Sequence, residues 1–185
     1  MIDDNPRPHL CRAAVVFFDH LMQTTDTVCE FGSGNSTPWL EERCEYLVSV
    51  EHDVAWHEAV LQATTNAIVL LADEDRMHEC VGRYRDGYFD LVYVDCLWPQ
   101  RLKCVRAAVP KLKDGGWMVL DDAHLPTVAE ALGELDWDCV RIEAKKMHST
   151  RDEYVDTSTV FCRKGKRCGG WEADKAGTLA RKGGK

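Results

Sequence analysis

No run of 18 or more apolar residues occurs in the 185-residue sequence, which excludes a bilayer-spanning helix. No Cys-x-x-Cys pair occurs either, so the usual spacing of a zinc knuckle is missing. The nearest approach, Cys162 with Cys168, has no matching second pair. The opening stretch MIDDNPRPHLCR begins acidic and carries two prolines, the wrong chemistry for a secretory signal, and a cytoplasmic protein is expected. No internal repeat interrupts the chain, and its length suits one ordinary domain that buries roughly 70% of the surface its unfolded form exposes.

What is present is a soluble composition, 45% hydrophobic and 29% charged. The nine cysteines are scattered and odd in number. They read as small buried hydrophobes in a reducing compartment. The net charge is −8, but residues 163–185 hold eight Lys and Arg against two acids. The acidic remainder argues against a surface that grips phosphate backbones. Only the basic, Gly-rich tail could meet nucleic acid or an acidic partner, and tails of this composition are usually solvated and disordered.

Short apolar runs rich in β-branched residues alternate with helical stretches. Strands are expected at 27–31, 46–50, 67–71, 89–95, 117–120, 139–144 and 159–162, with helices at 37–43, 54–64, weakly 75–83, 100–112 and 126–135. Such alternation predicts an α/β fold, a doubly wound, Rossmann-like sheet that is mostly parallel with helices on both faces. The last two strands are separated by a polar segment without a helical stripe, so they should return as an antiparallel pair at one edge. The organisation expected is therefore a capping segment over 1–26 with a helix near 8–23, a nucleotide-binding domain over 27–162, and the tail over 163–185.

Chemistry gathers at the C-terminal ends of the strands, where an open α/β sheet binds ligands. The stretch VCEFGSGNSTPW places Gly32 and Gly34 just after the first strand. Glycine there lets backbone N–H groups approach a ligand, and Ser36 or Thr37 can cap the electropositive start of the next helix. A dehydrogenase fingerprint would want a third glycine where Thr37 stands. Glu30 would repel a pyrophosphate but suits a ligand with an ammonium or sulfonium group. Glu51 ends the second strand and can accept both hydroxyls of a ribose, while Asp53 caps the helix that follows. Asp73, after the third strand, can accept from an adenine amino group. Asp95, then Asp121, Asp122 and His124, end the fourth and fifth strands at the same crevice. Burying such charges unpaired would cost several kcal/mol, so they should meet water, a cation or a ligand.

Taken in order, CEFGSGNST, VSVEHD, FDLVYVDCLW and VPKLKDGGWMVLDD resemble the motifs of class I S-adenosylmethionine-dependent methyltransferases, over residues 27–162. The resemblance implies a seven-stranded sheet with its last strand antiparallel. It implies that Glu30 and the backbone of Gly32 and Gly34 hold the methionine part of the cofactor, Glu51 the ribose and Asp73 the adenine, with Asn35, Ser36 and His52 completing the cofactor set. The nearest flavour is similar to small-molecule O-methyltransferases. Some of these hold a divalent cation on three strand-end residues, here Asp95, Asp121 and Asp122, a hard oxygen set suited to Mg²⁺. The implied chemistry has Asp95, with His124 or a cation held by Asp121 and Asp122, deprotonate or orient an acceptor hydroxyl above the methyl group.

Cys96 lacks the preceding proline of a cytosine-methylating nucleophile and reads as packing. Trp98, in the loop after the fourth strand, is a candidate substrate wall. The partner expected is a small-molecule acceptor. A homodimer would give a bare core the lid it lacks. A nicotinamide-dependent oxidoreductase and a non-catalytic nucleotide-binding module stand as alternatives.

Overall fold

The computed structural model describes residues 2–147, 154–165, 171–173 and 179–181. Its centre is a seven-stranded sheet in the order β3-β2-β1-β4-β5-β7-β6. The strands are β1 (Thr27–Phe31), β2 (Tyr46–Glu51), β3 (Ile68–Leu71), β4 (Phe89–Val94), β5 (Leu112–Leu120), β6 (Asp138–Met147) and β7 (Tyr154–Arg163). The first five run parallel, and β7 enters between β5 and β6 antiparallel to both. The helices are α1 (Arg12–Leu21), α2 (Ser36–Glu41), α3 (Val54–Ala63), α4 (Trp98–Ala108) and α5 (Pro126–Glu134), with a 3₁₀ segment at Glu74–Arg83.

Two apolar layers sandwich the sheet. On one face Met77 and Val81 of the 3₁₀ segment, Cys104, Val105 and Ala108 of α4, and Val128 and Ala131 of α5 cover Cys29, Phe31, Val48, Val50, Val92 and Val94. On the other, Ala14 and Phe18 of α1 and Trp39 and Leu40 of α2 cover Val28, Leu47, Leu91, Tyr93 and Val119. The strand period of two produces this division, since successive side chains leave the sheet on opposite faces. Phe18 fixes the N-terminal segment: it is fully buried, with ring centroids 5.3 Å from Trp39, 5.4 Å from Tyr93 and 5.9 Å from Phe161. Truncating such a ring to Ala costs about 3–5 kcal/mol.

Three expectations are corrected. Strands β6 and β7 are each ten residues long, because the stretches that read as loop go on pairing backbone to backbone, from Ala144 with Thr157 out to Met147 with Tyr154. Cys139 and Cys162 lie opposite each other on that hairpin and form a disulfide, so the reading of every cysteine as a free thiol fails for this pair. The tail is not wholly without structure: Trp171–Ala173 (β8) and Leu179–Arg181 (β9) pair antiparallel. Cys168 and the other tail residues at 166–170, 174–178 and 182–185 lie outside the described residues. Among the described residues no helix is long and apolar enough to cross a membrane.

Candidate active site

Register explains where each strand-end acid goes. Phe31 pairs with Val50 on one side and Val94 on the other, so Gly32 stands level with Glu51 and Asp95. Glu30 lies two residues further down the same face, about 6.6 Å deeper at the usual strand rise. It is fully buried. Its carboxylate accepts hydrogen bonds from the hydroxyls of Ser36, Thr37 (2.7 Å) and Ser49 (2.6 Å). Burial pushes its pKa up to about 7, against the lowering effect of these three hydroxyls. Glu30 does not line the cavity above it; it stands beneath the loop, where the resemblance implied contact with the methionine part of the cofactor. Glu30 holds the first turn of α2, and through Ser36 the loop, from beneath.

The loop itself forms the floor of a cavity of about 430 Å³ lined by Gly32, Ser33, Gly34, Asn35, Ser36, Glu51, His52, Asp95, Arg101 and Asp122, with Trp56, Leu97, Trp98 and Leu125 as apolar walls. Gly32 has φ +93°, and a Cβ there would lie 2.6 Å from the carbonyl oxygen of Asp95. Glycine is required on both counts. Gly34 differs: it lines the cavity and a Cβ would meet nothing within 4 Å, so no protein contact requires glycine there.

Glu51 is buried on the cavity wall. Its Oε1 accepts the backbone N–H groups of His52 (2.9 Å) and Asp53 (2.8 Å), and lies 2.8 Å from His52 Nδ1. The other carboxylate oxygen is left for a ligand. His52 is shared with an adjoining cavity of about 520 Å³ that contains Asp73, Arg76, Cys80 and Arg83. Asp73 therefore stands in this neighbouring hollow, with His52 as the link.

At the other end of the trough, Asp95, Asp121 and Asp122 come together, with one ligand atom from each within 4.8 Å of the others. The sequence reading missed what lies among them. Arg101, in the first turn of α4, donates from Nη2 to Asp95 Oδ1 (2.9 Å) and Asp122 Oδ2 (3.2 Å), from Nε to the Cys96 carbonyl (2.7 Å) and from Nη1 to the Asp121 carbonyl (2.5 Å). The signal for it was available. Arg101, Cys104, Val105 and Ala108 share the buried stripe of α4, and an arginine on such a stripe needs partners. Two further carboxylate oxygens are also bound: Tyr93 donates to Asp95 Oδ2 (3.0 Å) and Thr159 to Asp121 Oδ1 (3.0 Å). Asp122 has φ 49°, a left-handed turn that ends β5 and brings its carboxylate back toward Arg101.

A divalent cation does not fit this donor set. An arginine cannot give up its charge, and its Nη2 already bridges the Asp95 and Asp122 carboxylates. The expected Mg²⁺ site is corrected on that ground. His124 is displaced from its expected role as well. It is exposed, and the turn from Asp122 to Leu125 puts it in a separate cavity with Glu143, Lys145, Thr157 and Ser158. Thr157 and Ser158 are buried there without a hydrogen-bond partner for either hydroxyl among the described residues.

The expected capping segment at 1–26 reaches the site through a tie that the sequence did not reveal. Asn35, expected on the cofactor, accepts from the Asp3 backbone N–H (2.8 Å), donates to the Asp3 carboxylate (2.9 Å) and lies 3.1 Å from His9 Nε2. Its side chain ties the opening residues across the glycine loop, and His9 lines the cavity.

A family model described as a methyltransferase domain matches residues 29–123, more than half of the chain. The chain belongs to the methyltransferase-domain family. It is an S-adenosylmethionine-dependent methyltransferase of class I, and the nicotinamide and non-catalytic readings are set aside. Thr37 gives the physical reason against a dinucleotide: it is buried and its hydroxyl is bound to Glu30, where a dehydrogenase has glycine.

No curated protein matches the sequence. Among solved structures, precorrin-6y C5,15-methyltransferase from Geobacter metallireducens is 13% identical with TM-score 0.66, covering 89% of this chain and 93% of that one. A methyltransferase from Methanosarcina mazei described as S-adenosylmethionine-dependent is 11% identical with TM-score 0.62, covering 82% and 98%. An S-adenosylmethionine-dependent O-methyltransferase from Thermotoga maritima is 15% identical with TM-score 0.60, covering 85% and 67%. At these identities the likeness shows the fold.

The methyltransferase cavity fits its cofactor on the chain's own terms. Gly34 leaves open space on the floor, Glu51 has a carboxylate oxygen in reserve, and the two adjoining hollows fall in the range of small-molecule sites.

Proposed function

We propose that the enzyme methylates a hydroxyl group of a small, partly apolar molecule, with Asp95 as the base that receives or orients the hydroxyl proton. The observation that carries this reading is the placement of Asp95. It lies on the wall of the cofactor cavity, level with Gly32 and Glu51, with Tyr93 and Arg101 fixing its two oxygens. A carboxylate held in one orientation is what an acceptor O–H needs when the protein's task is positioning and proton removal. Leu97 and Trp98, both exposed beside it, offer an apolar face for the body of the acceptor.

S-adenosylmethionine supplies a methyl group already activated by its sulfonium centre. The residues placed to hold it are Gly32, Ser33, Gly34 and Ser36 along the loop, Glu51 for the ribose, and His52 and Asp73 toward the base. Glu30 supports that loop from below and Asn35 fastens the opening residues across it. Asp122, tied to Arg101 beside Asp95, completes the acceptor side. This reading needs no metal ion.

Two measurements test it. S-adenosylhomocysteine at 100 times its dissociation constant adds about 2.7 kcal/mol, which raises the melting temperature by roughly 5–11 °C at this chain length, whereas NAD should not shift it. Turnover is then read by homocysteine release over a panel of hydroxylated aromatic and aliphatic acceptors, with amine and thiol analogues beside them. Activity on amines alone would discard the hydroxyl reading and leave the cofactor reading standing.

A further inference from the structure

Three carboxylates within 4.8 Å of one another, one of them 2% exposed, repel strongly at low dielectric and call for a positive charge. Inside this fold the charge comes from the chain. The Arg101 side chain is 6% exposed and is held on four sides. Two of its bonds go to carboxylates that end different strands and two to the carbonyls of Cys96 and Asp121. The carbonyl contacts set the plane of the guanidinium, and its outer edge then meets Asp95 and Asp122 from one side. Arginine's rigid fork suits this arrangement, whereas a lysine would bring only a point charge.

We propose that Arg101 is the resident cation of this site, standing where a divalent ion would otherwise be held by Asp95, Asp121 and Asp122, and fixing the orientation of the Asp95 carboxylate. The inference concerns this chain's own residues and does not depend on which acceptor is methylated. Arg101 is a positioning residue: it acts on the acceptor through Asp95. Removing it should expose the three carboxylates as a hard oxygen set open to a small divalent cation.

Mn²⁺ alone is the probe, followed by loss of the free-ion signal in electron paramagnetic resonance. The wild-type chain should take up none at concentrations up to about 1 mM, the weak end of protein sites for such cations. Arg101→Ala and the volume-matched Arg101→Met should each take up one ion per chain in that range. Arg101→Lys, which keeps the charge, should stay silent while losing activity through a misoriented Asp95. Stoichiometric uptake by the wild-type chain overturns the proposal whatever the variants do, and needs no variant to fold. Soluble, folded Ala and Met variants that take up no ion overturn it equally, because the space would then not be that of a cation. A merely structural role for Arg101 would lower the melting temperature without creating a Mn²⁺ site.

Discussion

The Arg101 guanidinium lies 2.9 Å from Oδ1 of Asp95, and the Tyr93 hydroxyl lies 3.0 Å from Oδ2. In a carboxamide the oxygen can still accept from Arg101 and the NH2 group can donate to the Tyr93 hydroxyl, which turns from donor to acceptor, but the capacity to take a proton is lost. Asp95→Asn should therefore keep its fold and its affinity for S-adenosylhomocysteine, measured by calorimetry, and lose about 10²- to 10⁴-fold in kcat, the range of a general base. Wild-type turnover in that variant would remove Asp95 from the mechanism.

Glu30 should make stability depend on pH near neutrality. Its carboxyl is raised from 4.5 to about 7 by burial, so the folded chain holds the proton more tightly than the unfolded one. The stability this contributes is fully present below pH 4.5 and is lost as pH rises through about 7. A shift of that size corresponds to about 3 kcal/mol at most. Glu30→Gln carries no charge to bury, so the difference in melting temperature between variant and wild type should move in the variant's favour from pH 5 to pH 8. A difference that stays constant over that interval would show that Glu30 is already ionised at pH 5.

The Cys139–Cys162 disulfide closes a loop with a sequence separation of 23. In the chain-entropy account a loop of this length contributes about 3 kcal/mol, or roughly 6–12 °C in melting temperature. Thiol titration of the denatured chain should find two fewer reactive groups before reduction than after it, and dithiothreitol should lower the melting temperature by that amount. Equal thiol counts would show that the hairpin holds two free cysteines.

The succession of strands along the chain, the glycine turn and the acids at the strand ends were legible because each follows from a short-range rule: apolar runs make covered strands, and ligands gather at their C-terminal ends. The depth of Glu30 was not legible. It depends on the pairing of Phe31 with Val50 and Val94, and register between strands is absent from any single one of them. Arg101 was hidden for a related reason, since its partners Asp95 and Asp122 come from two different strand ends. The same holds for Asn35, whose side chain is taken by Asp3, 32 residues away. His124 was placed by adjacency to Asp122, but the left-handed residue at 122 turns the chain so that neighbours in sequence face different cavities.

The two glycines of the loop should part company under substitution. At Gly32 a methyl group would meet the backbone of Asp95 at 2.6 Å in a φ +93° conformation, and neither the loop nor the end of β4 can move without breaking the Asp95 N–H bond to the Phe31 carbonyl. Gly32→Ala should cost more than the 1–3 kcal/mol typical of strained backbone and lower the melting temperature accordingly. At Gly34 a methyl group meets no protein atom within 4 Å, so Gly34→Ala should melt within about a degree of wild type, the Gly-to-Ala effect on the unfolded chain being small. Its methyl would instead occupy the cavity floor, and S-adenosylhomocysteine should bind at least tenfold more weakly by calorimetry. Unchanged affinity in Gly34→Ala would mean that the cofactor does not lie against this loop, and the assignment of Ser33, Gly34 and Ser36 as its cradle would fall.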